Sequence, residues 1–349
     1  MQSEEMKNSD FRTVNFEVRY SIFLLLCTYG LLTLCGCDES SKSPSARLRH
    51  TDAGVNSLVP EAVRIIEEAL GDSDPSIRAN AIEVVAATRR TELMPKVRRL
   101  LADEFVPVRF AAALAVGDMQ YRFARESVSQ LMKDRDENVR IAAAYALARL
   151  GFADNFGLVR KAILSKDQDV RANAALLLGK FGDPRQLELL DWALKDKDSG
   201  DKVRFQVAEA MAMLKDERVY PKLWTMLISA YADDRVMGIR AMGALGTQQA
   251  SNALITMLDD KVLEVRLAAA EQLGCLGSSQ GEPEVLSVFG KEAAAGMDAE
   301  SIERVYTFAA LAIGQICTPA VTEFLPKLLK SQFKHVRIAS ARAVLQCAK

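Results

Sequence analysis

The sequence predicts an all-α fold, a right-handed α-solenoid (α-α superhelix) of about nine helix-turn-helix repeats. Three observations support this prediction. A dipeptide of valine or isoleucine followed by arginine recurs about every 31 residues along most of the chain. Alanine and other apolar residues recur at fixed distances after it. The composition is rich in alanine, leucine and charged residues, without the long β-branched runs that favour sheets.

The copies of this dipeptide define the length of one repeat. Seven copies are complete, and two degenerate ones, Val236-Met237 and Val305-Tyr306, fill the gaps. Successive copies are 31, 31, 31, 33, 33, 29, 40 and 31 residues apart, and we interpret Gly281–Glu284 as an insertion in the 40-residue step. We call the first residues of the copies the valine column and expect them at equivalent sites: Ile77, Val108, Val139, Val170, Val203, Val236, Val265, Val305 and Val336.

Two further columns indicate which face of the following helix is buried. Alanine stands five residues after the valine column in eight of nine copies, and an apolar residue stands eight residues after it in all nine. Positions 0, 4, 8 and 11 fall on one face of a helix. In the third copy these positions are Val139, Ala143, Leu147 and Leu150. Gly151 then predicts a helix end, and residues 60–70 and 95–101 predict a second helix before the column.

The pattern Asp-x-x-Val-Arg-x-x-Ala-Ala-x-x-Leu-Gly resembles the HEAT family, and specifically the short HEAT-like repeats of the phycobilisome-lyase type. The resemblance covers roughly residues 57–349, which we take as one solenoid domain. It implies a scaffold that binds a protein on its concave face, where the second helix of each pair lies. Copies six and eight depart from the pattern at the arginine.

An arginine follows the valine column within the apolar arc of the helix, so its charge is partly buried and needs a partner. An aspartate three residues before the column is available in four copies and can also cap the helix. The family resemblance implies an Asp–Arg ladder between neighbouring repeats, and the alternative is a row of anion-binding sites. The expected ladder residues are Asp74, Arg78, Arg109, Asp136, Arg140, Asp167, Arg171, Arg204, Asp233, Arg266 and Arg337.

The N-terminal segment resembles a bacterial lipoprotein signal. An apolar run of about 15 residues, 20–34, suits a signal peptide better than a bilayer span. It ends in Leu34-Cys35-Gly36-Cys37, which resembles a lipobox with Cys37 as the lipidated residue. We therefore predict a signal peptide at 1–36. A plain membrane anchor and an ordinary cleaved signal are the alternatives, and the charge distribution favours a start at Met6.

Residues 37–56 are rich in serine and charged residues, which predicts a flexible tether. The expected location follows from the signal and the tether. The protein should be lipid-anchored to a membrane of the bacterial cell envelope, with its folded part in the periplasm or at the cell surface.

A candidate partner-binding patch lies six residues after the valine column and on the flanks of that position, opposite the predicted core. Copies two to four bring apolar side chains together there: Phe110, Leu114, Ile141, Tyr145 and Leu176. A contiguous exposed apolar patch commonly marks a binding surface. The alternative is that superhelical twist lets neighbouring repeats cover these residues.

The chain offers few groups for catalysis. Its histidines are His50 and His335, without neighbouring ligands, and no His-Glu dipeptide of the iron-binding deoxyhypusine hydroxylases occurs. The cysteines after Cys37 lack CxxC spacing, although a Cys275–Cys317 disulfide is an option in an oxidising compartment. We therefore expect no enzyme activity, no metal and no cofactor.

The charge balance bears on the partner. With 45 basic and 46 acidic residues, the sequence shows no obvious basic cluster for nucleic acid. The expected function is a membrane-anchored scaffold for a protein partner. The alternative is a non-catalytic or lyase-like accessory subunit in the maturation of a chromophore or cofactor protein.

Overall fold

The structure, a computed structural model, describes residues 53–290 and 296–348. Over these ranges the regular elements are all helices, and the predicted right-handed α-solenoid is confirmed. None of the described helices is both long and apolar enough to cross a bilayer. The predicted signal peptide, Cys37 and His50 lie outside the described residues. The first described helix, α1 (Ala53–Ser57), begins inside the segment predicted as tether.

Each repeat consists of an outer helix followed by an inner helix. The outer helices are α2 (Val59–Ala69), α4 (Met94–Arg99), α6 (Arg125–Leu131), α8 (Gly157–Ala162), α10 (Leu187–Lys195), α12 (Tyr220–Leu227), α14 (Gln248–Thr256) and α16 (Glu282–Val288), and the last repeat has two short pieces, α18 (Pro319–Thr322) and α19 (Leu325–Leu328). The inner helices are α3 (Pro75–Ala87), α5 (Val106–Asp118), α7 (Glu137–Arg149), α9 (Gln168–Phe181), α11 (Asp201–Met213), α13 (Ala232–Leu245), α15 (Leu263–Cys275), α17 (Ala299–Ile316) and α20 (Lys334–Cys347).

The inner helices correct the predicted register of copy six. Seven of the other eight inner helices begin two residues before the valine column, and α13 begins at Ala232. Asp234 therefore occupies the column, not Val236, and the neighbouring steps become a regular 31 residues. Arg235, one residue later, is 5% exposed and forms the same contacts as the arginines of other repeats. Copy six is thus complete at the arginine.

Copy eight also differs from the prediction. Gly281–Glu284 is not an insertion, because the outer helix α16 begins at Glu282. Part of the extra length lies in α17, which begins six residues before Val305 and is 18 residues long. The ring of Phe289, just after α16, stacks on Phe324 with centroids 4.0 Å apart. This stacking joins the eighth and ninth repeats.

The inner helices are buried on nearly every side. In α7, ten residues from Asn138 to Ala148 are buried, and these include both apolar and polar positions. A helix that is apolar almost all round belongs in a protein interior. The outer helices are instead amphipathic, as in α10, where Leu190 and Ala193 are buried and Trp192 is exposed. The core therefore surrounds the inner helices and includes the buried faces of the outer helices.

Glycines nine residues after the valine column let consecutive inner helices approach closely. A Cβ added at Gly179 would lie 2.8 Å from the Cα of Ala210 in the next inner helix, and one at Gly314 would lie 2.8 Å from the Cα of Ala343. Gly243 also approaches the next inner helix closely, and it lies nine residues after the column only if Asp234 marks the column. This supports the corrected register. Small residues here set the spacing between repeats.

Gly179→Ala is expected to lower the free energy of unfolding by about 1–3 kcal/mol, because the new methyl group overpacks the α9–α11 contact. The matched control is Gly157→Ala in the first turn of α8, where an added Cβ meets no atom within 4 Å. That change should leave stability unchanged or raise it slightly. Urea unfolding followed by circular dichroism measures both, and equal losses would contradict the close-approach argument.

The row of repeats closes into a ring. The last inner helix, α20, packs against α2 and α3 of the first repeat. Across this seam the Lys334 ammonium lies 2.8 Å from a carboxylate oxygen of Asp72. Burial raises the pKa of Asp72, but its bond to Lys334 and the backbone of Asp74 lower it by more, so the net shift is downward. The seam therefore contains an ion pair as well as apolar packing.

A disulfide joins the last two inner helices. Cys317, directly after α17, bonds to Cys347 at the end of α20, with Cα atoms 5.4 Å apart. The Cys275–Cys317 pair considered from the sequence is therefore replaced by Cys317–Cys347. Cys275 is itself buried at the end of α15. By the chain-entropy model, closing a loop of 30 residues contributes about 3–4 kcal/mol.

Candidate functional site

The turns between helices form two rims of the ring. We call the turns from outer to inner helices the ladder rim; among others it comprises 70–74, 103–105, 132–136, 164–167, 196–200, 228–231 and 260–262. We call the turns from inner helices to the next outer helix the return rim; it includes 88–93, 119–124, 150–156, 182–186 and 214–219. The predicted arginines belong to the ladder rim.

Arg109 shows the full set of contacts of a ladder arginine. Its Nε and Nη2 donate to the two carboxylate oxygens of Asp134, in the next repeat, at 2.8 and 3.1 Å. Its Nη1 donates to the carbonyl oxygens of Asp103 and Glu104, in the turn before its own helix, at 2.9 and 3.0 Å. The two paired side chains are 8% and 10% exposed, so this is a buried and well-satisfied ion pair.

The same arrangement recurs around the ring with variations. Two further pairs are bidentate, Arg78–Asp103 and Arg235–Asp260. Two pairs use one nitrogen at 2.7 Å, Arg171–Asp196 and Arg266–Glu284. Arginines that donate to carbonyl oxygens of their own turn are Arg140, Arg204 and Arg337. For Arg140, the residue 25 positions later is Ser165, which offers no carboxylate.

The predicted aspartates are not the ladder partners. Asp74, Asp136 and Asp167 instead cap inner helices, and their carboxylates accept backbone N–H groups of the first turn at 2.8 Å. Asp233 lies in the first turn of α13. The pairing carboxylates stand two residues earlier in the turn, as Asp103, Asp134 and Asp260 do. Because protein oxygens occupy the arginine donors, the structure supports a structural ladder over a row of anion sites.

The prediction of an exposed partner-binding patch is wrong, because its five residues are buried. Phe110, Leu114, Ile141, Tyr145 and Leu176 are all at most 5% exposed. The physical reason is ring closure: inner helices of a closed ring face a common axis instead of an open groove. The patch therefore offers no wet apolar surface in this structure.

The interior instead gathers charged side chains six residues after the valine column. With the corrected register these are Glu83, Glu209, Arg240, Glu271 and Arg342, and all are buried. Asp118 and Lys180 lie near Glu83 of this set. Asp118 accepts a hydrogen bond from the Tyr145 hydroxyl at 2.6 Å and pairs with the Lys180 ammonium at 2.9 Å. A buried set of both signs keeps charges compensated across repeats.

Burial dominates the electrostatics of this interior. It raises the pKa of Glu83 to about 8, against the opposing effect of Arg342, Arg240 and Lys180. Burial likewise lowers the pKa of Arg342 against the effects of Glu271 and Glu83. Burial and the carboxylate of Asp118 raise the pKa of Tyr145. One carboxylate oxygen of Glu83, Oε2, has no hydrogen-bond partner among the described residues.

Large exposed apolar side chains gather on the ladder rim and the outer helices beside it. Ile228 is 66% and Leu164 55% exposed, both in ladder-rim turns. The others on this side are Phe105, Trp192, Trp224 and Tyr231. The sequence analysis missed them because it followed only the inner helices. A helical wheel of each outer helix would have placed Trp192 and Trp224 away from the buried face.

Ladder arginines hold two of these rings in place. The Arg78 guanidinium carbon lies 5.5 Å from the centre of the Phe105 ring, and that of Arg171 lies 5.6 Å from the Trp192 ring. Such cation–π contacts orient an exposed ring without burying it. The ladder therefore positions the apolar side chains of this rim as well as joining the repeats.

The described residues provide no assembled metal site. No group of three or more His, Cys, Asp and Glu side chains suited to a metal ion occurs within 53–290 and 296–348. His335 Nδ1 lies 2.8 Å from a carboxylate oxygen of Glu303, a contact between the last two repeats. This contact belongs to the packing of α17 and α20.

The repeats identify the family. The sequence model of HEAT repeats matches residues 62–147, 124–201 and 158–238, and that of a single HEAT repeat matches 251–280. The chain belongs to the HEAT-repeat family. The predicted resemblance is thereby confirmed, and with it the chain's nature as a helical-repeat scaffold.

Solved HEAT-like structures are similar in fold. The complex of CpcE and CpcF of phycocyanin lyase from Nostoc sp. PCC7120 is 19% identical, over 72% of this chain and 94% of that one, with a TM-score of 0.38. Human deoxyhypusine hydroxylase in complex with glycerol is 19% identical, over 76% and 98%, with a TM-score of 0.36. Kap121p is 14% identical, over 80% and 37%, with a TM-score of 0.34. No curated protein sequence matches the chain.

Proposed function

We propose that this HEAT-repeat protein is a non-catalytic, lipid-anchored scaffold of the bacterial cell envelope that docks a protein partner on its ladder rim. The observation that carries the proposal is the set of six large, exposed apolar side chains on and beside that rim. A contiguous exposed apolar patch commonly marks a protein interaction site. A tryptophan or tyrosine held in place by its neighbours is also a typical centre of a protein interface.

The charge of the rim indicates what kind of partner fits. The turns of the ladder rim are rich in aspartate, including Asp74, Asp136, Asp167 and Asp198. A partner surface with basic residues around an apolar centre would complement it. The exposed apolar side chains of the ladder rim are densest between the fourth and sixth repeats, where Trp192, Trp224 and Ile228 occur. Docking there places the partner outside the ring instead of within a concave groove.

Export to the envelope is supported by two features. The lipobox-like Leu34-Cys35-Gly36-Cys37 follows an apolar run suited to a signal peptide. The Cys317–Cys347 disulfide fits an oxidising compartment, since such bonds rarely persist in a reducing cytosol. Both are consistent with a folded part outside the cytoplasm that is tethered through Cys37.

Capture experiments test this proposal with a matched pair of variants. The full chain is purified from detergent-solubilised membranes together with the proteins that accompany it. Ile228→Asp combined with Trp224→Ala should remove the specific partner, whereas Phe123→Asp on the return rim should retain it. Circular dichroism confirms that both variants fold. An identical set of accompanying proteins in both variants would overturn ladder-rim docking, and unchanged lipid labelling of Cys37→Ser would overturn the anchor.

A further inference from the structure

Basic and aromatic side chains meet on the return rim of the first three repeats. Arg89 and Arg90 follow α3, Arg122 and Phe123 follow α5, and Phe152 follows α7. Phe123 is 78% exposed, the most exposed of the large apolar side chains among the described residues. The protein core does not bury a ring this exposed. Contact between the ring and another molecule would therefore be favourable.

Aromatic contacts hold this surface together. The Phe123 ring lies against Tyr121, with centroids 5.5 Å apart. The guanidinium of Arg125 lies 3.9 Å from the centre of the Phe152 ring. Arginine stacked on an exposed aromatic ring combines an apolar face with a fixed positive charge.

The charge of this region is positive on balance. The return-rim turns 88–93, 119–124 and 150–156, with the first two residues of α6, contain four basic side chains, Arg89, Arg90, Arg122 and Arg125, against Glu92, Glu126 and Asp154. The basic side chains come from two turns that are separated in the sequence and meet only in the folded ring.

The chain joins the ring on this same rim. Every outer helix begins at the return rim, so the first one, α2, does too, with α1 directly before it. The predicted lipidated residue, Cys37, precedes Ala53 by sixteen residues. A fully extended chain of that length reaches about 55 Å. A lipid anchor at Cys37 would therefore hold the ring within that distance of the membrane, with its attachment point on the return rim.

We propose that the return rim of repeats one to three docks on an anionic lipid surface, with Phe123 and Phe152 at the headgroup level and the surrounding arginines on lipid phosphates. Basic residues near an anionic surface are attracted to it, and aromatic rings favour the interface between water and lipid tails. The inference rests on the proposed function, which supplies the lipid anchor. It deepens that function because it orients the ladder rim away from the membrane.

Fluorescence quenching by brominated lipids tests the orientation. The full acylated chain carries Trp192→Phe and Trp224→Phe, which remove its two tryptophans, and then receives one reporter, Phe123→Trp. The matched control is Phe105→Trp on the ladder rim, where the native ring is 41% exposed. Vesicles contain phosphatidylglycerol and phosphatidylcholine, or phosphatidylcholine alone. We expect at least twofold stronger quenching at position 123 than at position 105 in the anionic vesicles.

Charge reversal completes the test. Arg122→Glu with Arg125→Glu should abolish the difference between positions 123 and 105, as should phosphatidylcholine alone, while the lipid anchor still holds the protein on the vesicles. Equal quenching at both positions on vesicles that carry the protein would overturn rim docking and leave the anchor intact. Failure of the acylated chain to float with phosphatidylcholine vesicles would instead overturn the anchor. In that case, flotation with anionic vesicles and quenching at position 123 would still support rim docking, and their absence would overturn it.

Discussion

Arg109→Ala should lower the free energy of unfolding by about 3–5 kcal/mol. The substitution leaves the buried carboxylate of Asp134 without its bidentate partner, and removing one member of a buried pair costs more than the pair itself contributes. It also removes the Nη1 donor from the carbonyl oxygens of Asp103 and Glu104. The measurement is the urea midpoint followed by circular dichroism at neutral pH.

Arg140→Ala is the matched control for this prediction. Arg140 occupies the same position one repeat later, but it contacts the carbonyl oxygens of Asp134 and Arg135, and Ser165 stands where the carboxylate would be. Its removal should cost about 1.5–3 kcal/mol, as for other hydrogen bonds to a charged group. If the two substitutions cost the same, the carboxylate pairing does not contribute as argued.

Glu83→Gln should stabilise the protein at pH 8 and flatten the dependence of its stability on pH. The native pKa of Glu83 is about 8, against a reference of 4.5, because burial disfavours the charged form. Between these values the native state binds more protons than the unfolded state, so stability falls as pH rises from about 4.5 to 8. The full loss is about 5 kcal/mol at most, and glutamine keeps the shape without the ionisation.

Unfolding at several pH values between 5 and 8.5 measures this effect. The wild type should lose stability across the interval relative to Glu83→Gln, and the two should converge towards pH 5. Glu92→Gln, an exposed carboxylate of the return rim, controls for the loss of an acidic group at the surface. Parallel curves for wild type and Glu83→Gln would contradict the argument. Arg342 keeps Glu271 as its strongest opposing charge in the variant.

The helices and their repeat were predictable because the information is local. Small and apolar residues recur at helical spacing, and the inner helices follow that spacing closely. The register of copy six was not predictable in this way, because the search for an apolar residue before each arginine passed over Asp234. A search for the arginine alone would have found Arg235 at the regular spacing.

The ladder was predicted in part. The burial of the arginines followed from their place on the helical wheel, but their partners did not. Two aspartates often stand two residues apart in one turn, as Asp134 and Asp136 do. The course of the backbone through the turn decides which of them caps the helix and which pairs with the arginine. Asp136 is bound to the N–H groups of its own helix, and Asp134 faces the arginine of the previous repeat. The sequence alone does not distinguish the two.

The exposure of the inner face could not be predicted from the repeat pattern. It depends on the small rotation between neighbouring repeats, and nine such rotations add up to a closed ring instead of an open groove. Tyr145 and Leu176 are buried for that reason, although each lies opposite the core on a single helical wheel. The large exposed apolar side chains lie instead on the two rims and on the outer helices beside them.

Closure of the ring also bears on how the protein comes apart. In a linear array of repeats, each end repeat has one neighbour, so fraying starts at the ends and spreads inward. Here α20 packs on α2 and α3, Lys334 pairs with Asp72, and Cys317–Cys347 cross-links the eighth and ninth repeats. Every repeat thus has two neighbours and no position is a free end. Loss of structure in such a molecule must begin by breaking an interior contact, which favours cooperative unfolding over gradual loss of terminal repeats.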